Sequence, residues 1–293
     1  MGFSISSLRS SLEFARRGYF DNMEKVLDMG SQEIFIKKKD FIETTKSFKY
    51  SFDLDKLPNL NDNSPPKSGE STKTFWKMLG FKTTDCCDVN NKHNSIYIDL
   101  NNPLNDESLK NKYELVTDFG NNEHPFNAGE AYRTMHSLCK KGGLMWINQA
   151  LIGGNGFYNF DIRFFESMAA VNNYEILSSY FILPSNDNQI RVPLSMELIN
   201  LLDLNKLKYI GISYLFRKKS GKDFIFPIQY LGEFGKDITY KSTLLPETTH
   251  LGISQTRAYI PFEWNPGIPK LLSLIFKRIK QKSFWKKIVK GTF

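Results

Sequence analysis

Hydrophobic residues recur along the chain with two periods, and their order predicts alternating helices and strands. Leu8, Leu12, Phe14 and Ala15 have helical spacing. Shorter apolar runs that end in acids, glycine or polar turns are typical of strands. The strand-like segments are KVLDMGSQEIFI, KTTDCCDV, SIYIDLNNP, YELVTDFG, LMWINQAL and EILSSYFIL, and NAGEAYRTMHSLCKKGG and IRFFESMAAVNNY are helix-like. Strands that alternate with helices indicate an open α/β sheet.

The same pattern predicts how the chain is divided. The segment YIGISYLFRKKSGKDFIFPIQY reads as two strands joined by a turn, which predicts an antiparallel hairpin at one edge of the sheet. A stretch rich in Pro, Asn, Ser and Asp predicts a lid or loop. The predicted parts are an N-terminal helix (1–20), an α/β domain (21–235) with the lid or loop near 50–72, an irregular extension (236–269) and a basic amphipathic tail (270–293).

Charge is concentrated in that tail. The chain has 293 residues, 39 basic and 31 acidic, with a formal charge of +8. Eight of the basic residues lie in 270–293, which contains no acid, so the remaining 31 basic residues balance the 31 acidic ones. A formally neutral body does not predict a broad nucleic-acid groove.

The tail has three interpretations. Apolar positions 272, 275, 276 and 279 share one helical face between lysines, as in a helix that lies on an anionic membrane surface. A terminal helix docked on the domain fits equally well, and RNA contact is a lesser third option. No apolar run reaches the roughly 18 residues of a membrane span, and no secretory h-region is present, so we expect a cytoplasmic protein, with the membrane periphery as the alternative.

Cysteine and histidine positions predict no metal site. Cys86, Cys87 and Cys139 do not have zinc-ligand spacing, and the four histidines form no pair at helical spacing. We expect Cys86 and Cys87 to be reduced, partly buried thiols.

The residues that follow the strands are the candidates for ligand binding, because ligands in open α/β sheets lie outside the carboxyl ends of the strands. They are Asp28 and Gly30, Asp85 or Asp88, Asp99 and Asn101, and the segment from Asp118 to His124. A strand that ends in Asp and Gly is also common in plain turns, so the joint order of these segments carries more weight than any one of them.

That order resembles a known family. KVLDMGSQEI, CCDVNNKHNSIYIDLNNPL, YELVTDFGNNEHPFN, LCKKGGLMW and GGNGFYNFDIRFFESMAAVNNYEI follow one another as in a bacterial methyltransferase-domain group of the class I S-adenosylmethionine-dependent methyltransferases. The resemblance covers roughly residues 23 to 230. It implies a Rossmann-like, seven-stranded, mostly parallel sheet with an antiparallel edge hairpin and helices on both faces.

The resemblance also implies cofactor contacts for S-adenosyl-L-methionine. Asp88 matches the acid that holds the ribose hydroxyls, with Asp85 as the second choice. The other matches are Asp28 and Gly30 in the first motif, Asp99 and Leu100 at the adenine, and Asp118 and Gly120 at the methionine end. The first loop contains a single glycine where the family commonly has several small residues. A non-catalytic Rossmann-like binding module that uses its basic tail is therefore the alternative.

Three residues are candidates for the acceptor side. Glu123 and His124 follow the fourth strand, where a His titrating near neutral pH can act as a base, and Tyr158 follows the fifth. Each has a structural alternative: an acid at a helix N-terminus, a polar filler, and an aromatic anchor in a plain loop. The expected methyl acceptor is a small molecule or a glycan or lipid-linked precursor.

Overall fold

One sheet of eight strands organises the described part of the chain. A computed structural model describes residues 2–62, 69–185, 188–194 and 208–228. The strands are β1 (Lys25–Met29), β2 (Thr83–Asp88), β3 (Ile96–Tyr97), β4 (Tyr113–Phe119), β5 (Cys139–Ile152), β6 (Tyr174–Ser185), β7 (Asn188–Pro193) and β8 (Ile210–Lys218). The extension 236–269 and the tail 270–293 lie outside the described residues, so the predictions for them stay predictions.

The strand order is β3-β2-β1-β4-β5-β8-β6-β7. The first five strands pair in parallel, and their order is the 3-2-1-4-5 order of doubly wound folds. The last three pairings are antiparallel. The predicted Rossmann-like fold class is confirmed, with eight strands in the described residues instead of seven.

The edge hairpin is present, but it is formed by other segments than expected. β6 and β7 pair at the edge, and β8 is inserted between β5 and β6. All positions of β8 except Arg217 are buried, as an interior strand requires. Residues 219–228, expected as the second strand of the hairpin, form none. Asn172 binds them instead, since Ile225 N–H donates to its Oδ1 at 2.7 Å and its Nδ2 donates to Ile225 O at 2.9 Å.

Helices cover both faces of the sheet. They are α1 (Ile5–Arg16), α2 (Lys38–Ser47), α3 (Thr72–Met78), α4 (Ala128–Leu138) and α5 (Ile162–Asn172). Successive residues of β1 face opposite sides: Val26 packs in the cluster that contains α1, α2 and α3, and Leu27 packs in the cluster that contains α4 and α5.

α4 begins as predicted and ends earlier. Asn127 caps its N-terminus, where its side chain accepts a hydrogen bond from Glu130 N–H at 3.3 Å. The helix-like pattern extended to Gly143, but the helix ends at Leu138 and β5 begins at Cys139. The glycines lie inside this strand, next to a register shift in its pairing with β4. Gly142 has a φ of +82°, which suits such an irregularity.

Candidate functional site at the carboxyl ends of the parallel strands

The turn after β1 and the end of β2 meet through one carboxyl group. Asp88 Oδ2 accepts hydrogen bonds from Ser31 N–H at 2.9 Å and from the Ser31 hydroxyl at 2.8 Å. Gly30 N–H donates to Cys87 O at 2.8 Å. Gly30 has a φ of +82°, and a Cβ added there would lie 2.5 Å from Asn121 Oδ1. This turn therefore needs glycine for its backbone conformation and for the close approach of the β4 loop.

Asp85, the second candidate for the contact with the ribose hydroxyls, lies in a different environment. It pairs with Leu27 in the middle of the β1–β2 ladder rather than at its end. Its carboxylate accepts from the Tyr113 hydroxyl at 2.8 Å and lies 3.9 Å from Lys112 Nζ. Of the two acids, Asp88 is the one that contacts the turn after β1.

Asp28 is buried beneath that turn. Its carboxyl accepts hydrogen bonds from the Thr117 hydroxyl, from the Thr72 hydroxyl at 2.5 Å and from Trp76 Nε1 at 3.0 Å. Burial raises the pKa of Asp28 to about 6, although these hydrogen bonds act in the opposite direction. Thr72 N–H also donates to Gln32 O at 3.2 Å. Asp28 thus holds α3, which in turn supports the turn after β1, and its predicted cofactor contact stays a prediction.

The loop after β3 carries the two residues predicted at the adenine. Asp99 accepts from Asn101 N–H at 3.0 Å and from Asn102 Nδ2 at 2.6 Å. The backbone N–H of Asn101, more than any other contact, lowers the pKa of Asp99. Leu100 is buried in the cluster that also contains residues from β1 and β2. Asn127 N–H donates to Asn101 Oδ1 at 3.0 Å, which connects this loop to the start of α4.

The end of β4 places a buried acid beside a tight turn. Asp118 Oδ1 accepts from Asn121 N–H at 2.9 Å and Asn122 N–H at 3.2 Å, and its Oδ2 accepts from Gln149 Nε2 at 2.6 Å. Gly120 has a φ of +77°, which permits the turn. Burial raises the pKa of Asp118 to about 7; the hydrogen bonds oppose this rise and the charge of Glu123 adds to it.

Gln149 was not identified from the sequence. It lies on β5, next to Asn148 in the mostly apolar run LMWINQALI, and is completely buried. A polar side chain in a buried strand needs a partner. The signal was therefore present in the sequence, although the identity of the partner was not.

Glu123 lies beneath the loop that follows β5. Its side chain is 1% exposed, and its Oε2 has no hydrogen-bond partner among the described residues. Phe157 N–H donates to Glu123 O at 2.8 Å. A Cβ added at Gly154 would lie 3.3 Å from Oε2, and one at Gly156 would lie 2.4 Å from Glu123 O. These glycines let the loop 153–159 approach the acid closely.

His124 and Tyr158 lie around Glu123 with separate contacts. His124 is 45% exposed, and its Nε2 is 3.8 Å from Glu123 Oε1, which is longer than a hydrogen bond. The Tyr158 hydroxyl donates to Phe126 O at 2.5 Å and so joins the loop 153–159 to the loop after β4. The catalytic roles of Glu123, His124 and Tyr158 stay predictions.

No three His, Cys, Asp or Glu side chains of the described ranges converge in a way that could hold a metal ion. No helix among these residues has the length and apolar character to cross a membrane. The three cysteines are free and buried.

Comparison with known proteins gives structural likeness only, since no family model and no curated protein sequence matches the chain. Similar solved structures include a SAM-dependent methyltransferase from Archaeoglobus fulgidus, at 13% identity over 72% of this chain and 94% of that one, with a TM-score of 0.35. An O-methyltransferase of a Brevibacillus brevis polyketide synthase, in complex with S-adenosylhomocysteine, is 11% identical over 72% and 71%, with a TM-score of 0.38.

A third is the 1,6-didemethyltoxoflavin-N1-methyltransferase from Burkholderia thailandensis, with bound 1,6-didemethyltoxoflavin and S-adenosylhomocysteine. It is 11% identical over 73% of this chain and 79% of that one, with a TM-score of 0.32. Identities of this size concern the fold alone. The strand order by itself shows that the chain has a Rossmann-like, doubly wound α/β fold.

Proposed function

We propose that the chain is an S-adenosyl-L-methionine-dependent methyltransferase that acts on a small molecule or a glycan or lipid-linked precursor. The observation that carries the proposal is the position of Asp88 at the carboxyl end of β2, bonded to the turn after β1. In the described chain, its Oδ1 accepts only from Val89 N–H, at 2.7 Å. A carboxylate oxygen has further lone pairs, so Asp88 can also accept a ribose hydroxyl.

The neighbouring residues fit the rest of the cofactor. Gly30 brings the backbone of the first turn close to the loop after β4, where a Cβ would not fit. Glu123 places an acid in that loop, and a carboxylate suits a sulfonium cation. When bound, S-adenosyl-L-methionine supplies an activated methyl group. The chain holds and orients both reactants, and the loop 153–159 excludes water from Glu123.

Calorimetric titration with S-adenosylhomocysteine tests the proposal. We expect Asp88→Asn to weaken binding about tenfold or more, because a hydrogen bond to a charged group is lost. Asp85→Asn is the matched control: it changes an acid of the same strand that contacts Tyr113 and Lys112, so affinity should be retained. Absence of binding at millimolar ligand would refute the cofactor assignment, and a larger loss in Asp85→Asn would reassign the ribose acid.

One observation favours a second candidate, a non-catalytic binding module. The Gln32 side chain folds back to donate to Met29 O at 2.8 Å and would lie 3.2 Å from a Cβ at Gly30. It thus fills part of the first loop. In this alternative, residues 270–293 associate with an anionic membrane or a partner. Cofactor binding without a methylated product from any extract, together with liposome flotation that requires residues 270–293, would favour the module over the enzyme.

A further inference from the structure

Two acids at the end of β4 lack a cationic partner. No lysine or arginine among the described residues forms an ion pair with Asp118 or Glu123. The side-chain partner of Asp118 is the neutral amide of Gln149, and the nearest basic group to Glu123 is His124 at 3.8 Å. The two acids are close enough for their charges to interact. When these acids are ionised, the end of β4 therefore favours a positively charged ligand.

Unpartnered polar atoms point to a ligand rather than to a structural acid pair. Glu123 is 1% exposed and Asn122 is completely buried, yet neither Glu123 Oε2 nor Asn122 Nδ2 has a hydrogen-bond partner in the part of the chain that the structure describes. Buried polar groups normally have partners, because leaving one unsatisfied is costly. Glu123 Oε2 is directed towards Gly154 in the loop 153–159. A ligand that donates a hydrogen bond to Oε2 would remove the cost.

An exposed aromatic pair lies at the same place. Phe126 and Phe157 are 77% and 71% exposed, and their ring centroids are 6.1 Å apart at an interplanar angle of 81°. Phe157 N–H donates to Glu123 O, and the Tyr158 hydroxyl donates to Phe126 O. Both rings are thus tied to the backbone around the acid. Exposed aromatic faces bind apolar groups and also attract cations.

We propose that the methyl acceptor is an amine with an apolar or aromatic body, bound with its nitrogen at Glu123 Oε2 and its body against Phe126 and Phe157. This inference rests on the proposed function, because it names the acceptor of the same site. Gly154 and Gly156 cover Glu123, so binding of the amine at Oε2 requires the loop 153–159 to move aside. Gly153, with a φ of +74°, lies at the start of that loop.

The proposed transfer balances in atoms and charge. The bound ammonium gives one proton to the Glu123 carboxylate, and the freed nitrogen lone pair forms the new N–C bond. The C–S bond to the methyl group breaks, and its electron pair stays on sulfur. The products are a methylated ammonium, a neutral thioether and protonated Glu123.

The test compares matched probes without any cofactor. Dissociation constants of 2-phenylethylamine, the neutral 2-phenylethanol and the anionic 3-phenylpropionate are measured by ligand-observed NMR on the full chain. We expect the amine to bind about tenfold or more tightly than the other two probes, because it alone makes a charged hydrogen bond. Glu123→Gln should abolish this preference. Phe157→Ala should weaken the binding of the amine and of the alcohol by similar factors.

Glu166→Gln is the control for neutralising a buried acid. Glu166 is 4% exposed on α5, and its side chain accepts from the Tyr214 hydroxyl on β8 at 3.3 Å. The amine preference should persist in this variant. Equal binding of amine and alcohol to the unmodified protein would overturn the inference, and so would a preference that survives Glu123→Gln. The comparison of amine and alcohol on the unmodified protein needs no variant. It therefore tests the inference even if Glu123→Gln does not fold.

Different results would overturn the amine acceptor and the methyltransferase assignment. Binding of S-adenosylhomocysteine without any amine preference overturns only the acceptor class. An amine preference lost in Glu123→Gln, together with no binding of S-adenosylhomocysteine, overturns the methyltransferase assignment and leaves an amine-binding site.

Discussion

Replacing Asp118 by asparagine should change how stability depends on pH. Burial raises the folded-state pKa of Asp118 from its ordinary 3.8 to about 7. Between these values the folded chain holds a proton that the unfolded chain releases. The contribution of Asp118 is therefore fully present below the ordinary pKa and is lost as pH rises through about 7. Asparagine does not titrate, so the variant should lack this part of the pH dependence.

The size of the effect follows from the shift. At about 1.4 kcal/mol for each pKa unit, a shift of about 3 units amounts to about 4 kcal/mol as an upper bound. Asparagine keeps an oxygen for the backbone N–H groups of Asn121 and Asn122. A flip of the Gln149 amide turns its oxygen towards the new amide nitrogen. We therefore expect the free energy of unfolding above neutral pH to be higher for the variant than for the unmodified protein.

Urea unfolding at pH values from about 4 to about 8 measures this difference. The control is Asp99→Asn, because Asp99 lies at the surface and hydrogen bonds lower its pKa, so its titration contributes below the range of Asp118. If the free energies of Asp118→Asn and the unmodified protein change in parallel over this range, Asp118 does not titrate with a raised pKa and the reasoning is refuted.

Two further predictions concern stability and loop packing. Lys218→Met should lower the free energy of unfolding by about 2 kcal/mol, because Lys218 Nζ donates to His136 O and Cys139 O at 2.7 Å each, where α4 ends. Thermal unfolding measures it against the surface control Lys219→Met, and equal effects would contradict the role. Gly156→Ala should weaken probe binding at Glu123, since its Cβ would lie 2.4 Å from Glu123 O; NMR titration showing unchanged affinities would contradict this packing.

Local patterns were sufficient for the fold class and for the positions of several candidate residues at the ends of strands. The positions of Asp88 and Asp118 at strand ends follow from short apolar runs that stop at an acid, and the parallel order follows from strands that alternate with helices. The capping role of Asn127 was also predictable, because a cap acts within its own first turn. These features depend on residues that are close together in the sequence.

Contacts between distant segments were not predictable in this way. The pattern of β8 indicated a strand but not its place between β5 and β6, since a continuous apolar run fits any interior position of the sheet. Gln149 was recognisable as a buried polar residue, but its bond to Asp118 depends on the pairing of β4 with β5. The described residues 219–228 do not form the second strand of the expected hairpin, and Asn172 on α5 satisfies the backbone of Ile225 there.

The acids and glycines at the strand ends are recognisable in the sequence, because those turns are local and depend on backbone conformation and nearby hydrogen bonds. The surroundings of these residues depend on the packing of distant segments. Glu123 is buried because Gly154 and Gly156, some 30 residues later in the chain, pack against it. Asp28 is held by Thr72, Trp76 and Thr117 from α3 and β4. Such environments arise when the assembled sheet and its helices bring distant side chains together, and no local pattern encodes them.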